Sequence, residues 1–513
     1  MNRADNELIN KVSKGWAVMK EVVLGIDLGT SAVKIIAVTR RGEVVASTSE
    51  PLTLIQTRPG YSEQDPNEWF EAVKQGIKHL NEASNMSDYV VKGISFSGQM
   101  HGLVALDANH APVRHAILWN DTRNSEQCRQ IKEVYGERLN GNPILEGFTL
   151  PKMLWVKQHE PDIWKQVDVF VLPKDYVRYC LTGQVHMEYS DAASTSLLSP
   201  QTHDWTRDVG DHFGLGDIYP PLVRSTGYVG DVRTELAQEL GFTEQVKVFA
   251  GGGDNACGAI GAGIINDNDT LCSIGTSGVV LNVEKDSYTE YRNNIHFFDH
   301  SVPQTFYAMG VTLAAGYSLS WLKKTFFEDE SFDDIVAQAS TSSVGANRLL
   351  FAPYLAGERT PHGDAFIRGS FIGISGSHTK ADFARAVLEG ITYSLYDSIQ
   401  LIREAGKEIT HVTSIGGGAK SALWLQMQAD IFNATIRKLK HEEGPSMGAA
   451  MIAAYGLEWF NSFDECVEQF IDIERTFEPN EERHRQYEAY YQIYQQIYQQ
   501  THQLTEDLLK IEE

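Results

Sequence analysis

Leu24-Gly25-Ile26-Asp27-Leu28-Gly29-Thr30-Ser31 reads as an apolar strand that ends in a carboxylate and breaks into a Gly-Thr-Ser turn before a second β-rich run at 33–38. About half a chain later, Leu271-Cys272-Ser273-Ile274-Gly275-Thr276-Ser277-Gly278 repeats the pattern, with 279–283 as its second run. A shared tripeptide is weak alone, but the shared strand–turn–strand setting makes it an internal repeat. The reading is therefore two related α/β domains facing each other across a cleft, a common place for a ligand. Their boundary falls near residue 265, before the polar loop Asn266-Asp267-Asn268-Asp269. Residues 1–18 are taken as an extension outside the core, 19–265 as the N-terminal domain, 266–480 as the C-terminal domain and 481–513 as a terminal helix.

Working outward from the first turn, Arg40-Arg41-Gly42 precedes a third β run, which predicts an antiparallel meander. Asp65-Pro66 then starts a helix: Asp65 as cap, Pro66 in the first position and Glu68 three after the cap, with Trp69, Val73 and Ile77 on one face. A strand at 91–96 ends at Ser97-Gly98-Gln99-Met100-His101-Gly102. In the tail, Tyr487, Tyr491, Tyr494 and Tyr498 recur at helical spacing, continued by Ile497, Leu504 and Leu508. That stripe suits docking on the chain's own core or contact in a homodimer, and both stay open.

The chain has 513 residues, enough for a large core. Apolar residues at 42% and charged residues at 22% exclude disorder as the main state. With 44 Lys and Arg against 68 Asp and Glu, the net charge is −24, which opposes general binding to nucleic acid. Five scattered cysteines contain no CxxC pair, so neither a zinc site nor a disulfide framework is indicated. The uncharged stretch 301–322 holds Pro303, Gly310 and Gly316 and reads as strand–turn–helix rather than a membrane span. The N-terminus lacks an apolar signal region. The expectation is a cytoplasmic protein with no membrane partner.

Several segments carry chemistry. Asp27 with Gly29, Thr30 and Ser31 suits a phosphate site: a tight turn offers N–H groups, the hydroxyls add donors, Lys34 adds charge and Asp27 would hold Mg²⁺. Taken alone it is equally a plain hairpin. Gly275 and Thr276 would close on phosphates from the other side. Val248-Phe249-Ala250-Gly251-Gly252-Gly253-Asp254-Asn255 runs a strand into three glycines, costly unless something approaches the backbone closely, and delivers Asp254 to a helix start. There it is expected to stay ionised and to serve as a general base or as a capping carboxylate. Gly416-Gly417-Gly418 lies between a strand and a helix from about Ala422, geometry suited to a nucleoside against backbone. Gln99, His101 and the Trp119-Asn120-Asp121 cluster suit a sugar, with an aromatic platform and groups for hydroxyls.

Together these segments resemble the FGGY family of carbohydrate kinases. The match runs through Gly25–Ser31, Ser62-Glu63-Gln64-Asp65-Pro66, Gln99-Met100-His101-Gly102, Leu118-Trp119-Asn120-Asp121, Leu172-Pro173-Lys174-Asp175, Gly253-Asp254-Asn255, Gly357-Glu358-Arg359-Thr360-Pro361 and Gly416–Ala419, in order over roughly residues 20–480. The resemblance implies two ribonuclease-H-like domains of the actin, Hsp70 and hexokinase type flanking a central cleft. It implies ATP-dependent phosphorylation of a sugar, and the Gln99-Met100-His101-Gly102 segment points to members that act on the 5-hydroxyl of D-xylulose. Asp254 would be the catalytic base. Gln99, Met100, His101, Trp119 and Asn255 would contact sugar. Thr30, Ser31, Lys34, Gly275, Thr276, Gly316, Gly417 and Gly418 would contact ATP, with Asp27 organising Mg²⁺. Ser421 stands where related kinases often carry Asn. Family members acting on L-ribulose, gluconate, fuculose or glycerol are the near alternatives. An actin- or Hsp70-like ATPase would need neither Gln99-Met100-His101 nor Gly253-Asp254-Asn255.

Overall fold

The computed structural model describes residues 19–285 and 289–511, so the expected extension at 1–18 lies outside the described residues. The meander is present as β1 (Lys20–Leu28), β2 (Ala32–Thr39) and β3 (Val44–Pro51), with β1–β2 and β2–β3 antiparallel. Helix α1 (Pro66–Glu82) starts at Asp65, whose carboxylate accepts from Asn67 N–H, and buries Trp69, Val73 and Ile77. Glu68 does not complete a capping box: its carboxylate accepts from Thr53 N–H at 3.0 Å and ties the helix to the preceding loop. Strands β4 (Tyr89–Gly98) and β5 (Lys247–Phe249) continue the sheet in parallel, giving the order β5-β4-β1-β2-β3 with an added strand, Tyr228–Asp231, on the β5 edge.

Helix α2 (Asp254–Gly261) leads to a second sheet of β6 (Thr270–Ile274), β7 (Gly278–Glu284), β8 (His296–Asp299), β9 (Phe306–Thr312), β10 (His411–Gly416) and β11 (Thr435–Leu439). Its central order is β11-β10-β6-β7-β9, with β6–β7 and β7–β9 antiparallel and β6–β10 and β10–β11 parallel. Strand for strand this is the order and sense of the first sheet, so the tripeptide repeat marks a repeat of the whole fold. Helix α3 (Gly316–Phe326) follows β9, which makes 301–322 the expected strand–turn–helix. The 25-residue helix α4 (Lys380–Glu404), buried along most of its length, forms the spine of the second core, and α5 (Ala422–Phe432) packs beside it.

Helix α6 (Pro445–Gly456) comes from the C-terminal half yet packs on the N-terminal sheet. Gly25 on β1 makes this contact possible: a Cβ there would fall 1.9 Å from the Ser446 carbonyl oxygen. Helices α2 and α6 meet through glycine as well, since a Cβ on Gly448 would lie 1.8 Å from the Cys257 carbonyl. The lobes are thus joined by a backbone-close helix pair directly behind Asp254. The last helix, α7 (Glu481–Leu509), buries Tyr487, Tyr491, Tyr494 and Ile497 in the second core, each side chain worth about 1.5–3 kcal/mol. Leu504 and Leu508 remain 63% and 68% exposed, because the helix runs past the core. Among the described residues all five cysteines are free and buried, and no helix is long and apolar enough to cross a membrane.

Candidate active site

Strand register assembles the N-terminal half of the site. Asp27 pairs with Ser97 and Leu28 with Gly98, while a two-residue strand pairs Gly252 with Ser97 and Gly253 with Gly98. The turn after β1, the Gln99–His101 loop and Asp254 therefore leave the same sheet edge, at the carboxyl ends of parallel strands, where open α/β sheets bind ligands. The three glycines before Asp254 are approached by protein, not by open space. Gly251 has φ +85° and a Cβ there would fall 2.1 Å from the Phe96 carbonyl; Gly252 abuts the Ser301 hydroxyl and Gly253 abuts Met100.

Asp254 opens α2. One carboxylate oxygen, Oδ1, accepts from the Asn255 N–H at 2.7 Å and from Asn255 Nδ2 at 2.9 Å; Oδ2 has no partner among the described residues. The expectation that helix position keeps this group fully ionised is corrected. Burial, reinforced by the negative charge of Asp27, outweighs the two Asn255 bonds and pushes its pKa up to about 7. Burial also raises Asp27, against the neighbouring Ser97 hydroxyl and Lys34, and Asp27 Oδ1 is buried without a hydrogen-bond partner. An orphaned carboxylate oxygen on a residue whose charge is felt by a second carboxylate fits a hard divalent cation. Mg²⁺ takes only one or two carboxylates plus phosphate and water, which suits a site where the described residues offer no cluster of three His, Cys, Asp or Glu ligands.

A cavity of about 260 Å³ lies in front of these groups, lined by Met100, His101, Trp119, Asp254, Asn255 and Ser277. His101 sits at φ +67°, an uncommon backbone conformation for a side-chain-bearing residue, and the surroundings hold it there. Its carbonyl accepts from Thr149 Oγ1 at 3.0 Å and Lys152 Nζ at 2.9 Å, and its Nδ1–H donates to the Ser194 carbonyl at 2.9 Å. That bond fixes the tautomer and leaves Nε2 as an acceptor. Burial and the nearby Lys152 charge lower its pKa to about 3, so the ring stays neutral.

Gln99 does not line this cavity. It is 2% exposed; its amide donates to Gln64 Oε1 and the Gly29 carbonyl, and its oxygen accepts from Thr30 Oγ1 at 3.2 Å. It therefore braces the first Gly-Thr-Ser turn rather than touching sugar. Trp119, 43% exposed, donates from Nε1 to Thr30 Oγ1 at 3.0 Å and so joins that turn to the cavity wall. Ser31 is exposed on the same turn. Lys34, expected near phosphate, instead pairs with the Glu443 carboxylate at 2.7 Å and reaches its carbonyl at 3.1 Å, bridging the two halves of the chain.

From the opposite lobe, Gly275, Thr276 and Ser277 form an exposed turn between β6 and β7. It is held from behind, as Gly316 N–H donates to the Gly275 carbonyl and Tyr317 N–H to the Thr276 carbonyl. Gly316 is needed for that closeness, since its Cβ would lie 2.4 Å from the Gly275 oxygen; it supports the turn from behind. Register pairs Ile274 with Gly416 and so sets Gly417 beside this turn, exposed, while Gly418 is buried against Ile274. Ser421 caps α5 by accepting from Trp424 N–H.

A buried ionic cluster went unread in the sequence. Lys174 Nζ lies 2.6 Å from Asp191, 2.9 Å from Asp175 and 3.2 Å from Glu188, with all four side chains fully buried. Burial opposes the lysine charge, but the three acids outweigh it and hold its pKa high. Glu188 anchors Ser190, whose Oγ accepts from Gly253 N–H at 2.9 Å, so the cluster fixes the strand that presents Asp254. The adjacent Lys174-Asp175 pair was its only sequence signal.

Residues 22–261 match the N-terminal domain of the FGGY family of carbohydrate kinases and residues 270–457 match its C-terminal domain. The chain belongs to that family. It is 71% identical over 472 residues to a xylulose kinase from Staphylococcus epidermidis, covering 92% of this chain and 95% of the relative. A xylulose kinase from Bacillus subtilis is 52% identical over 91% of this chain and 94% of its own. In structure, gluconate kinase from Lactobacillus acidophilus superposes with a TM-score of 0.89 at 28% identity, over 94% of this chain and 98% of that one.

Proposed function

We propose that this kinase transfers the γ-phosphoryl group of ATP to the 5-hydroxyl of D-xylulose, giving ADP, D-xylulose 5-phosphate and a proton. The observation that carries the reaction is Asp254: a carboxylate with one oxygen fixed and the other unspent, at a cavity wall shared with neutral His101 and with Ser277 of the opposite turn. The acceptor is supported by the relatives' names at 71% and 52% identity; the gluconate kinase likeness supports the fold and leaves the sugar to the site.

In this reading Met100, Trp119 and Asn255 shape the sugar site, and His101 Nε2 accepts from a sugar hydroxyl. Asp254 Oδ2 takes the proton of the 5-hydroxyl as its oxygen bonds to the γ-phosphorus and the bond from that phosphorus to the bridging oxygen of ADP breaks. A carboxyl whose proton affinity is raised by burial is better matched to a hydroxyl proton, and such a base contributes about 10²–10⁴-fold. The rest is positioning and charge neutralisation. Thr276, Ser277 and Gly275 would supply donors to phosphate from one lobe, the Thr30 N–H and Ser31 from the other, and Gly417 would lie under the nucleoside. Mg²⁺ held by Asp27 and by phosphate oxygens would neutralise charge on the transferred group. Joining of the lobes over the sugar would exclude water, which otherwise competes for ATP. The free buried thiols suit the reducing cytoplasm, where this reading places the enzyme in xylose metabolism.

ATP turnover against a panel of D-xylulose, L-ribulose, gluconate, fuculose and glycerol tests the reading, with the phosphate position read by NMR. D-Xylulose is expected to give the highest kcat/KM, with phosphate on O5. A higher kcat/KM on another acceptor would overturn it.

A further inference from the structure

Arg359 brings a guanidinium from the C-terminal lobe to the cavity that holds His101 and Asp254. That guanidinium makes no hydrogen bond or ion pair with any described residue. Its neighbour Glu358 is already committed: one oxygen accepts from Leu313 N–H and Arg359's own N–H, the other from Thr312 and Ser394 hydroxyls. Arg359 is part-buried, and that burial, opposed only by the charges of Glu358 and Glu146, holds its pKa below its usual range. Such a charge is costly unless a ligand completes it.

Its place within the cavity follows from its neighbours. Thr360 bonds to Val311 in both directions, and two residues back on that strand Met309 pairs with His296, whose ring stacks on Phe148 against His101. Arg359 therefore enters the cavity beside the strand that carries the His296–Phe148–His101 ring series, while Asp254 enters from α2.

The chemistry of the acceptor supplies the match; this step rests on the ketose reading above. A 2-ketopentose closes a stable ring only through O5, the oxygen that receives phosphate. The acceptor must enter open, with O5 at Asp254 and a bare C2 carbonyl towards the far end. A carbonyl needs a donor, and His101 Nε2 only accepts. Trp119 Nε1 is spent on Thr30, the two N–H groups of Asn255 Nδ2 go to Asp254 Oδ1 and towards Met100 Sδ at 3.5 Å, and the Ser277 hydroxyl belongs to the turn assigned to phosphate. We propose that Arg359 donates to the C2 carbonyl of the open-chain ketose and makes the site select 2-ketopentoses over the corresponding pentitols.

Calorimetric titration without nucleotide tests this, using D-xylulose and its two C2-reduced forms, xylitol and D-arabitol. The unaltered protein is expected to bind D-xylulose more tightly. Arg359→Met should weaken D-xylulose roughly 10- to 100-fold and the pentitols by less than about 2-fold, since only the ketose loses a charged hydrogen bond. Arg359→Lys, which keeps the charge, should restore part of the preference. Equal binding of ketose and pentitol by the unaltered protein, or equal weakening of all three in Arg359→Met, would overturn the assignment. D-Xylulose phosphorylated yet bound no better than pentitols removes the role of Arg359 alone; failure to phosphorylate D-xylulose removes the reading beneath it.

Discussion

The two Gly-Thr-Ser turns share a tripeptide and a place in the fold, yet they are built differently. In the N-terminal turn the Thr30 hydroxyl and carbonyl are both spent: the hydroxyl donates to Gln99 and accepts from Trp119, and the carbonyl accepts from Gln64 Nε2 at 2.7 Å, a side chain in turn held by Trp69. In the C-terminal turn the backbone is stapled by Gly316 and Tyr317, but the hydroxyls of Thr276 and Ser277 have no partner among the described residues. A saturated buried network rigidifies its segment. The lesson is a division of labour: the first turn is a fixed frame for Asp27 and the cavity wall, and the second presents unspent donors to a phosphate.

The strongest way to break this contrast is a matched pair of substitutions. Thr276→Val together with Ser277→Ala should raise KM for ATP by roughly 10- to 100-fold, since two hydrogen bonds to a charged group are lost, and leave the melting temperature unchanged. Thr30→Val should do the reverse, destabilising the fold by about 1–3 kcal/mol through the orphaned Gln99 and Trp119 groups, with a smaller rise in KM. Steady-state kinetics beside calorimetric melting reads both. Equal effects on KM and melting for the two turns would end the distinction.

A smaller effect sharpens the comparison between the lobes. The N-terminal lobe pairs its buried acids with Lys174, whereas in the C-terminal lobe Asp397 is buried with, among the described residues, only the Tyr491 hydroxyl at 2.6 Å, and its pKa is raised to about 8, chiefly by burial. A folded-state carboxyl with a raised pKa binds its proton more tightly than the unfolded chain does. Stability therefore falls as pH rises from the ordinary carboxylate range to about 8. Asp397→Asn, which keeps the acceptor for Tyr491, should melt higher than the unaltered protein at pH 8, by about 1 kcal/mol of stability, and show little gain at pH 4. A gain independent of pH would contradict it.

Local grammar made much of this legible. Strand periodicity gave the meander, Asp65-Pro66 gave the start of α1, and the echo at 271–278 marked two sheets whose order and sense coincide. What sequence could not convey was which partner arrives from afar. The glycines Gly253, Gly316 and Gly418 looked like places for a ligand to approach, but Met100, the Gly275 carbonyl and Ile274 occupy those approaches. Lys34 looked like a phosphate cation, but its acid is Glu443, 409 residues along the chain. Gln99 sits in a motif with His101, and two steps along the loop turn one into the frame and the other into the cavity. The proton affinity of Asp254 depends on burial and on Asp27, neither of which its own helix position reveals.

The central claim is that Asp254 accepts the proton of the sugar hydroxyl, and Asp254→Asn tests it most directly because it keeps size and the bonds to Asn255. Single-turnover phosphorylation of D-xylulose should slow by about 10²–10⁴-fold, while sugar affinity, measured by calorimetry, and melting temperature stay near those of the unaltered protein. Phosphoryl transfer at an undiminished rate in that variant would contradict the account.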